Sequence, residues 1–195
     1  MNTKIFQFLC IILMGIILTA CQYEDYTPKP RGYHRIALPS HTYQIANTGC
    51  PFDFEIPIYS KLVADQSADA KPCWKNIDFP QFNATLHLSY FQLSPQSTLE
   101  QLTEDARTFV FKHTTKATAI EEFPIQVESS NSTGLAYQIQ GNTASNYQFY
   151  ISDKKKHYLR GALYFNEKPN LDSIQPVLQF IKEDISHLIH TIRWK

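Results

Sequence analysis

The sequence predicts an α+β domain in which an antiparallel sheet of about five to seven strands is covered by two amphipathic helices. Three observations carry this. Residues 84–90 alternate, with Ala84, Leu86, Leu88 and Tyr90 on one face and Thr85, His87 and Ser89 on the other, which is the period of a half-buried strand. The period then lengthens over 98–115, where Leu99, Leu102, Ala106, Phe109 and Val110 fall on one side of a helix. Three β-rich runs follow at 135–140, 147–152 and 157–165, joined by the short connectors 141–146 and 153–156. Connectors that short imply an antiparallel meander. A second helix over 173–193 completes the order strands, helix, meander, helix.

The amino terminus reads as an export signal. Lys4 precedes an apolar run over 5–18, and Leu18-Thr19-Ala20-Cys21 follows. Small residues before a cysteine form a lipid-attachment box, so residues 1–20 are expected to leave as a signal peptide and Cys21 to carry the lipid. The apolar segment 5–20 is 16 residues long, short of the roughly 20 that span a hydrocarbon core. Residues 21–32 form a polar tether whose prolines, Pro28 and Pro30, bias it toward an extended path. Residues 33–195 then read as a single globular domain.

Within that domain, 33–36 is expected to start a first strand. Residues 52–57 alternate apolar with acidic and end on Pro57, as a terminal or edge strand does. A polar loop covers 65–72. Ser97 and Glu100 have the spacing of a capping box for the first helix. A further strand is placed at 125–128. In the last helix Ile174, Val177, Leu178, Ile181, Ile185, Leu188 and Ile192 make one stripe, with Ser173 as the expected cap and Pro176 in the first turn. No internal repeat is present.

Composition narrows the function. The chain has 18 Lys+Arg and 18 Asp+Glu; without the signal only Lys4 is lost. A balanced charge argues against a nucleic-acid partner. Aromatic residues are abundant, 13 Phe, 11 Tyr and 2 Trp, enough for a sizeable core. Of four cysteines, Cys10 leaves with the signal and Cys21 takes lipid. Cys50 and Cys73 remain, an even pair in an exported chain, and are expected to form a disulfide. Two cysteines do not make a structural zinc site, so no metal and no cofactor is expected.

Several constellations are candidates for chemistry. Glu183, His187 and His190 share a helical face opposite the apolar stripe, which reads as a solvated surface. His87 and His113 read as surface or hydrogen-bonded histidines. No G-x-S-x-G or G-x-x-x-x-G-K-[ST] pattern occurs. Glu104 and Asp105 are adjacent on a helix and point about 100° apart, so they make poor acid–base partners. No catalytic residue emerges. Arg160 lies mid-strand with Tyr158, Ala162 and Tyr164 on its face. It either pairs with Glu104 or Asp105 or forms a docking patch with Tyr158 and Tyr164. Asn83-Ala84-Thr85 and Asn131-Ser132-Thr133 match the N-glycosylation triplet, which a bacterial lipoprotein seldom uses, and Asp172-Ser173-Ile174 resembles an O-glycosylation triplet, which a helix-capping role explains more simply.

A three-layer sandwich of the photosystem PsbP and Mog1 type is one form compatible with this order. A closer resemblance rests on longer blocks. These are 28–33 (Pro28-Lys29-Pro30-Arg31-Gly32-Tyr33), 50–57 beginning Cys50-Pro51-Phe52, 73–77 beginning Cys73-Trp74, and 83–90 beginning Asn83-Ala84-Thr85. Glu104-Asp105-Ala106-Arg107, Lys112-His113, Gly141-Asn142-Thr143-Ala144-Ser145, Arg160-Gly161-Ala162-Leu163-Tyr164-Phe165-Asn166 and the final Trp194-Lys195 extend it. Together they resemble the gliding motility lipoprotein GldD family of Bacteroidota over nearly the whole chain beyond the signal. The resemblance implies a non-enzymatic accessory lipoprotein of the gliding machinery, bound up with type IX protein secretion. Its implied partners are other gliding motility lipoproteins and secretion components. The implied place is the cell envelope, lipid-anchored. The acidic Gln22-Tyr23-Glu24-Asp25 resembles a surface-export signal, but a solvated tether explains the same residues, and the periplasmic face is favoured. An envelope hydrolase and a small-ligand carrier remain as alternatives.

Overall fold

Alternating apolar strands build one large sheet with two unlike faces. The computed structural model describes residues 35–195, so the expected signal peptide, Cys21 and the tether lie outside the described residues. Twelve regular elements are described: β1 (Tyr43–Ala46), β2 (Phe52–Pro57), β3 (Lys61–Ala64), β4 (Lys75–Phe79), β5 (Ala84–Gln92), α1 (Leu99–Phe111), β6 (Ala117–Val127), β7 (Ser132–Gly141), β8 (Tyr147–Ser152), β9 (His157–Phe165), α2 (Leu171–His190) and β10 (Arg193–Trp194). Seven strands form an antiparallel sheet in the order β3-β4-β5-β9-β8-β7-β6, and β1-β2-β10 form a small sheet. Residues 36–195 make up a compact unit.

The inner face of the large sheet carries Ile77, Phe79, Leu86, Leu88, Phe149, Ile151, Leu159 and Leu163, all at most 1% exposed. They pack with Phe52, Phe54 and Ile56 of β2 and with Leu178, Ile181, Ile185 and Leu188 of α2 in one core. Among the described helices, α1 is the one that covers the outer face. Val110 meets Tyr137 and Ile139 there in a second, smaller cluster. The layers are thus α1, the seven-stranded sheet, and α2 with the small sheet. Two glycines let backbone and side chains approach closely. A Cβ on Gly134 would stand 1.8 Å from the Tyr150 carbonyl oxygen, and one on Gly161 2.2 Å from the buried Phe149 ring.

The meander from β6 to β9 forms as its connectors require. Asp153 Oδ1 accepts from the backbone N–H groups of Lys155, Lys156 and His157 at 2.8–2.9 Å. Asn146 Nδ2 donates to the carbonyls of Ile139 and Gly141 and to Thr143 Oγ1. Asp153 thereby fixes the β8–β9 turn and Asn146 the β7–β8 loop.

Several expectations shift. Of the strand expected at 33–36, residues 33 and 34 lie outside the described residues and Arg35 and Ile36 are not in a strand; the first described strand is β1. The strand expected at 125–128 is instead the eleven-residue β6 at the sheet edge, with Pro124 inside it. Proline lacks an N–H, and an edge strand tolerates that. The capping box of α1 is Thr98 with Gln101, one residue beyond the expected Ser97 and Glu100, because Ser97 closes a turn against Ser94. α2 starts at Leu171, so Pro176 lies in its second turn and Ser173 is not its cap. Asn142 Oδ1 accepts from the Leu171 N–H at 2.8 Å instead, a cap supplied from the β7–β8 loop.

Cys50 and Cys73 form the expected disulfide, with Cα atoms 5.7 Å apart and a sequence separation of 23. Loop closure of that length stabilises a fold by about 3 kcal/mol in the chain-entropy model. Replacing both cysteines by serine is therefore expected to lower unfolding stability by about 3 kcal/mol. Urea titration of the two proteins measures it, and an unchanged midpoint would contradict the assignment.

Candidate functional site

Two constellations stand out, one on each side of the large sheet. On the inner side, α2 carries Asp184 in its apolar stripe, only 1% exposed. Burial of a carboxylate is costly unless it is hydrogen-bonded. Asp184 Oδ1 accepts from Tyr43 Oη at 3.0 Å and contacts His41 Nδ1 at 2.7 Å, while Oδ2 accepts from Tyr59 Oη. Burial and then the Asp184 carboxylate push the Tyr43 hydroxyl up to about 12, and the same two causes raise Tyr59 further. His41 also lies 3.2 Å from Glu183.

One turn further, His187 stacks on Tyr43 with ring centroids 3.5 Å apart. Its Nε2 sits 2.8 Å from Glu55 Oε2 on β2. The expected solvated face is therefore half correct. Glu183 and His190 are exposed, whereas His187 is packed. Asp184, absent from the sequence reading, is the centre of the group. Its signal was present as an acid one residue before Ile185, three positions after Ile181 on the apolar side of the helix. The cluster ties the segment 41–43 and Tyr59 to α2 through pairs whose partners are already matched. Among the described residues no group of three metal-ligating side chains occurs.

On the outer side, α1 leaves part of the sheet uncovered. A cleft of about 280 Å³ opens there, lined by Trp74, Ser89, Phe91, Leu102, Asp105, Ala106, Phe109, Tyr158 and Arg160. Cross-strand register places Phe91 opposite Tyr158 and Ser89 opposite Arg160. Tyr158 is 1% exposed, and its hydroxyl donates to the Leu102 carbonyl at 2.9 Å. It forms the floor under α1 and presents no surface itself. Arg160 is half-buried. Its Nη2 donates to Gln148 Oε1 at 2.7 Å, and the guanidinium lies 4.6 Å from the Phe109 ring centroid. The expected pairing with Glu104 or Asp105 does not form among the described residues: both acids are exposed, and Asp105, on the α1 edge that lines the cleft, makes no ion pair with Arg160. Tyr164 is half-buried and meets His87 edge-on at 5.4 Å, so it lies apart from the cleft on the same face.

His87 is hydrogen-bonded, as the sequence reading expects. His87 Nδ1 lies 2.9 Å from Asn76 Oδ1, and burial holds its imidazole below the ordinary value. His157, buried, bonds Tyr90 Oη at 2.8 Å and stacks on Trp194. Asn83 and Asn131 adopt left-handed backbone with φ 48° and 46°, each ending a short 3-10 turn. That role accounts for the two glycosylation-like triplets.

A family model described as gliding motility lipoprotein GldD matches residues 23–194. The chain belongs to this family. Comparison with curated proteins returns no match. Among solved structures, the chain is similar to cyanobacterial PsbP (CyanoP) from Synechocystis sp. PCC 6803, with a TM-score of 0.47 and 12% identity, over 83% of this chain and 98% of that chain. The α+β class rests on the layers described above. In this GldD-family chain the motif blocks map to structure. Residues 141–145 form the β7–β8 turn and the α2 cap, and 160–166 run through the β9 strand that carries the cleft. As a lipoprotein family, GldD implies a lipid-anchored envelope location. No described helix is long and apolar enough to cross a membrane.

Two outcomes test this geometry. Replacing Asp184 with Ala leaves two tyrosine hydroxyls and His41 without their acceptor, and is expected to destabilise the fold by about 2 kcal/mol or more; chemical denaturation reads it. The second concerns pH. Burial lowers His87, His113 and His157, so these imidazoles stay neutral in the fold while the unfolded chain protonates them below about 6.5. The unfolded state then binds more protons, and stability falls with acid below that pH. Denaturation midpoints are expected to be flat above pH 6.5 and to decline below it, less steeply in His157→Gln.

Proposed function

We propose that this protein is an accessory lipoprotein of the gliding motility machinery that works by binding other proteins. Cys21 anchors it to an envelope membrane with the domain on the periplasmic face. Its work is linked to type IX secretion, with other gliding lipoproteins and secretion components as partners. The observation that carries the reading is the outer-face cleft, in a chain of a gliding motility lipoprotein family. Aromatic side chains and an arginine gathered in a concavity are the composition of protein-binding anchors.

A non-enzymatic role is supported by how the histidines and acids are used. His187 is spent on Glu55 and Tyr43, and Asp184 on three donors. Groups held this way tie strands to a helix and are not poised to move a proton to a substrate.

Exchanging Cys21 for Ala at the native locus tests the anchor. The expected result is protein released from the membrane fraction, with spreading motility and type IX export both lost. Membrane-bound protein with normal spreading and export would overturn the proposal.

A further inference from the structure

Among the described residues, five ion pairs are formed and none involves Arg160. Its one hydrogen bond goes to the neutral amide of Gln148, and its other neighbour is the face of Phe109. A half-buried cation usually finds an acid, since desolvation without a counter-charge is costly. The wall around it is apolar and aromatic: Trp74, Phe91, Leu102 and Phe109. A second cation stands at the rim, with Lys71 Nζ 4.6 Å from the Phe91 ring centroid and 5.9 Å from that of Trp74. Asp105, on the α1 lip, is the one acid among the lining residues.

We infer that this cleft binds a segment of a partner protein in which an Asp or Glu side chain neighbours an aromatic or leucine side chain. The carboxylate pairs with Arg160, and the apolar neighbour packs between Trp74, Phe91 and Phe109. The inference rests on the reading that the protein acts through partners, and it names the chemistry one such partner must offer. Charge complementarity selects the acid: a planar guanidinium with spare N–H groups matches a carboxylate bidentately. Volume selects the source. About 280 Å³ is at the lower limit for small-molecule sites and suits one large side chain carried on a longer chain. Membrane headgroups are disfavoured, because anionic surfaces are held by clusters of four or more basic residues, and here three cations, Arg160, Lys71 and Lys112, lie on the aromatic walls of the cleft.

The test uses the full-length protein in detergent and two capped dipeptides, N-acetyl-Glu-Phe-amide and N-acetyl-Gln-Phe-amide, titrated against tryptophan fluorescence and by calorimetry. The Glu peptide is expected to bind at least about tenfold more tightly than its neutral twin, as a charge-assisted hydrogen bond does. Arg160→Gln is expected to erase that ratio, and Arg160→Lys to keep part of it. Ser89→Glu offers an independent route. Ser89 faces Arg160 across the strand pair, so a glutamate there neutralises the guanidinium within the chain and is expected to erase the ratio without touching Arg160.

Equal affinity for the two peptides, no saturable binding above a Kd of about 1 mM, or a ratio unchanged in Ser89→Glu would overturn the inference. So would displacement of the Glu peptide by phosphatidylglycerol vesicles, which would assign the cleft to a membrane. The accessory role fails separately. Loss of motility in the Cys21 exchange together with equal peptide affinities would remove only the cleft's assignment, and a tenfold ratio with normal motility would remove only the role.

Discussion

One short helix has to cover one face of a wide sheet, and it cannot. Seven strands set about 4.8 Å apart span about 29 Å between the outermost pair. α1 has thirteen residues, hence about 20 Å of length and about 10 Å of width. The opposite face has a twenty-residue helix and a three-stranded sheet to seal it. The molecule is therefore well buried on the inside and half covered on the outside. The uncovered strands meet this with polar cross-strand pairs, Thr85 with Asp78 at 3.0 Å and His87 with Asn76 at 2.9 Å. The cleft sits on the boundary, where the aromatic floor under α1 runs out before the polar pairs begin.

The inner face has the opposite problem, a charge where apolar packing is needed. Asp184 lies in the stripe of α2 that faces the core, and an unpaired carboxylate there would cost far more than one methylene of packing gains. Three donors from 41, 43 and 59 remove that cost. The solution also has a mechanical consequence. The donors come from the segments around β1 and β2, so the first described stretch of the chain is fastened to the last helix. Lys195 adds to this by pairing with Asp53 at 2.6 Å, where the ammonium and Thr48 outweigh burial and hold the carboxyl below its usual range.

Elements with clean periodicity were legible from the residues alone. β2, β5, β8 and β9 alternate or run apolar because one or both of their faces are buried, and the two helices show full stripes. β1 and β3 were not legible. They have four residues each and are mostly exposed, so neither burial nor length writes a pattern. β6 is exposed along most of its length and contains Pro124, which mimics a break. β4 was not placed either: Ile77 and Phe79 alternate with polar residues, but five residues next to a loop signal little. At the site, Tyr158 and Arg160 could be placed on one strand face by parity. What covers that face depends on where α1 crosses it, and no local pattern encodes a crossing. The same limit hid the partners of Asp184, which are at least 125 residues away in sequence.

The disulfide links these two halves of the design. Cys73 precedes Trp74, and Trp74 forms one wall of the cleft, its Nε1 donating to the Tyr90 carbonyl at 3.3 Å. Cys50 leads into β2, whose Phe52 is fully buried against Tyr90 with ring centroids 5.2 Å apart. The bridge therefore joins the core-facing β2 to the loop that positions a cleft residue. An oxidising compartment forms such a bond and a reducing one does not. Where the bond is formed, the wall of the cleft is thus tied to the core rather than to its own loop alone.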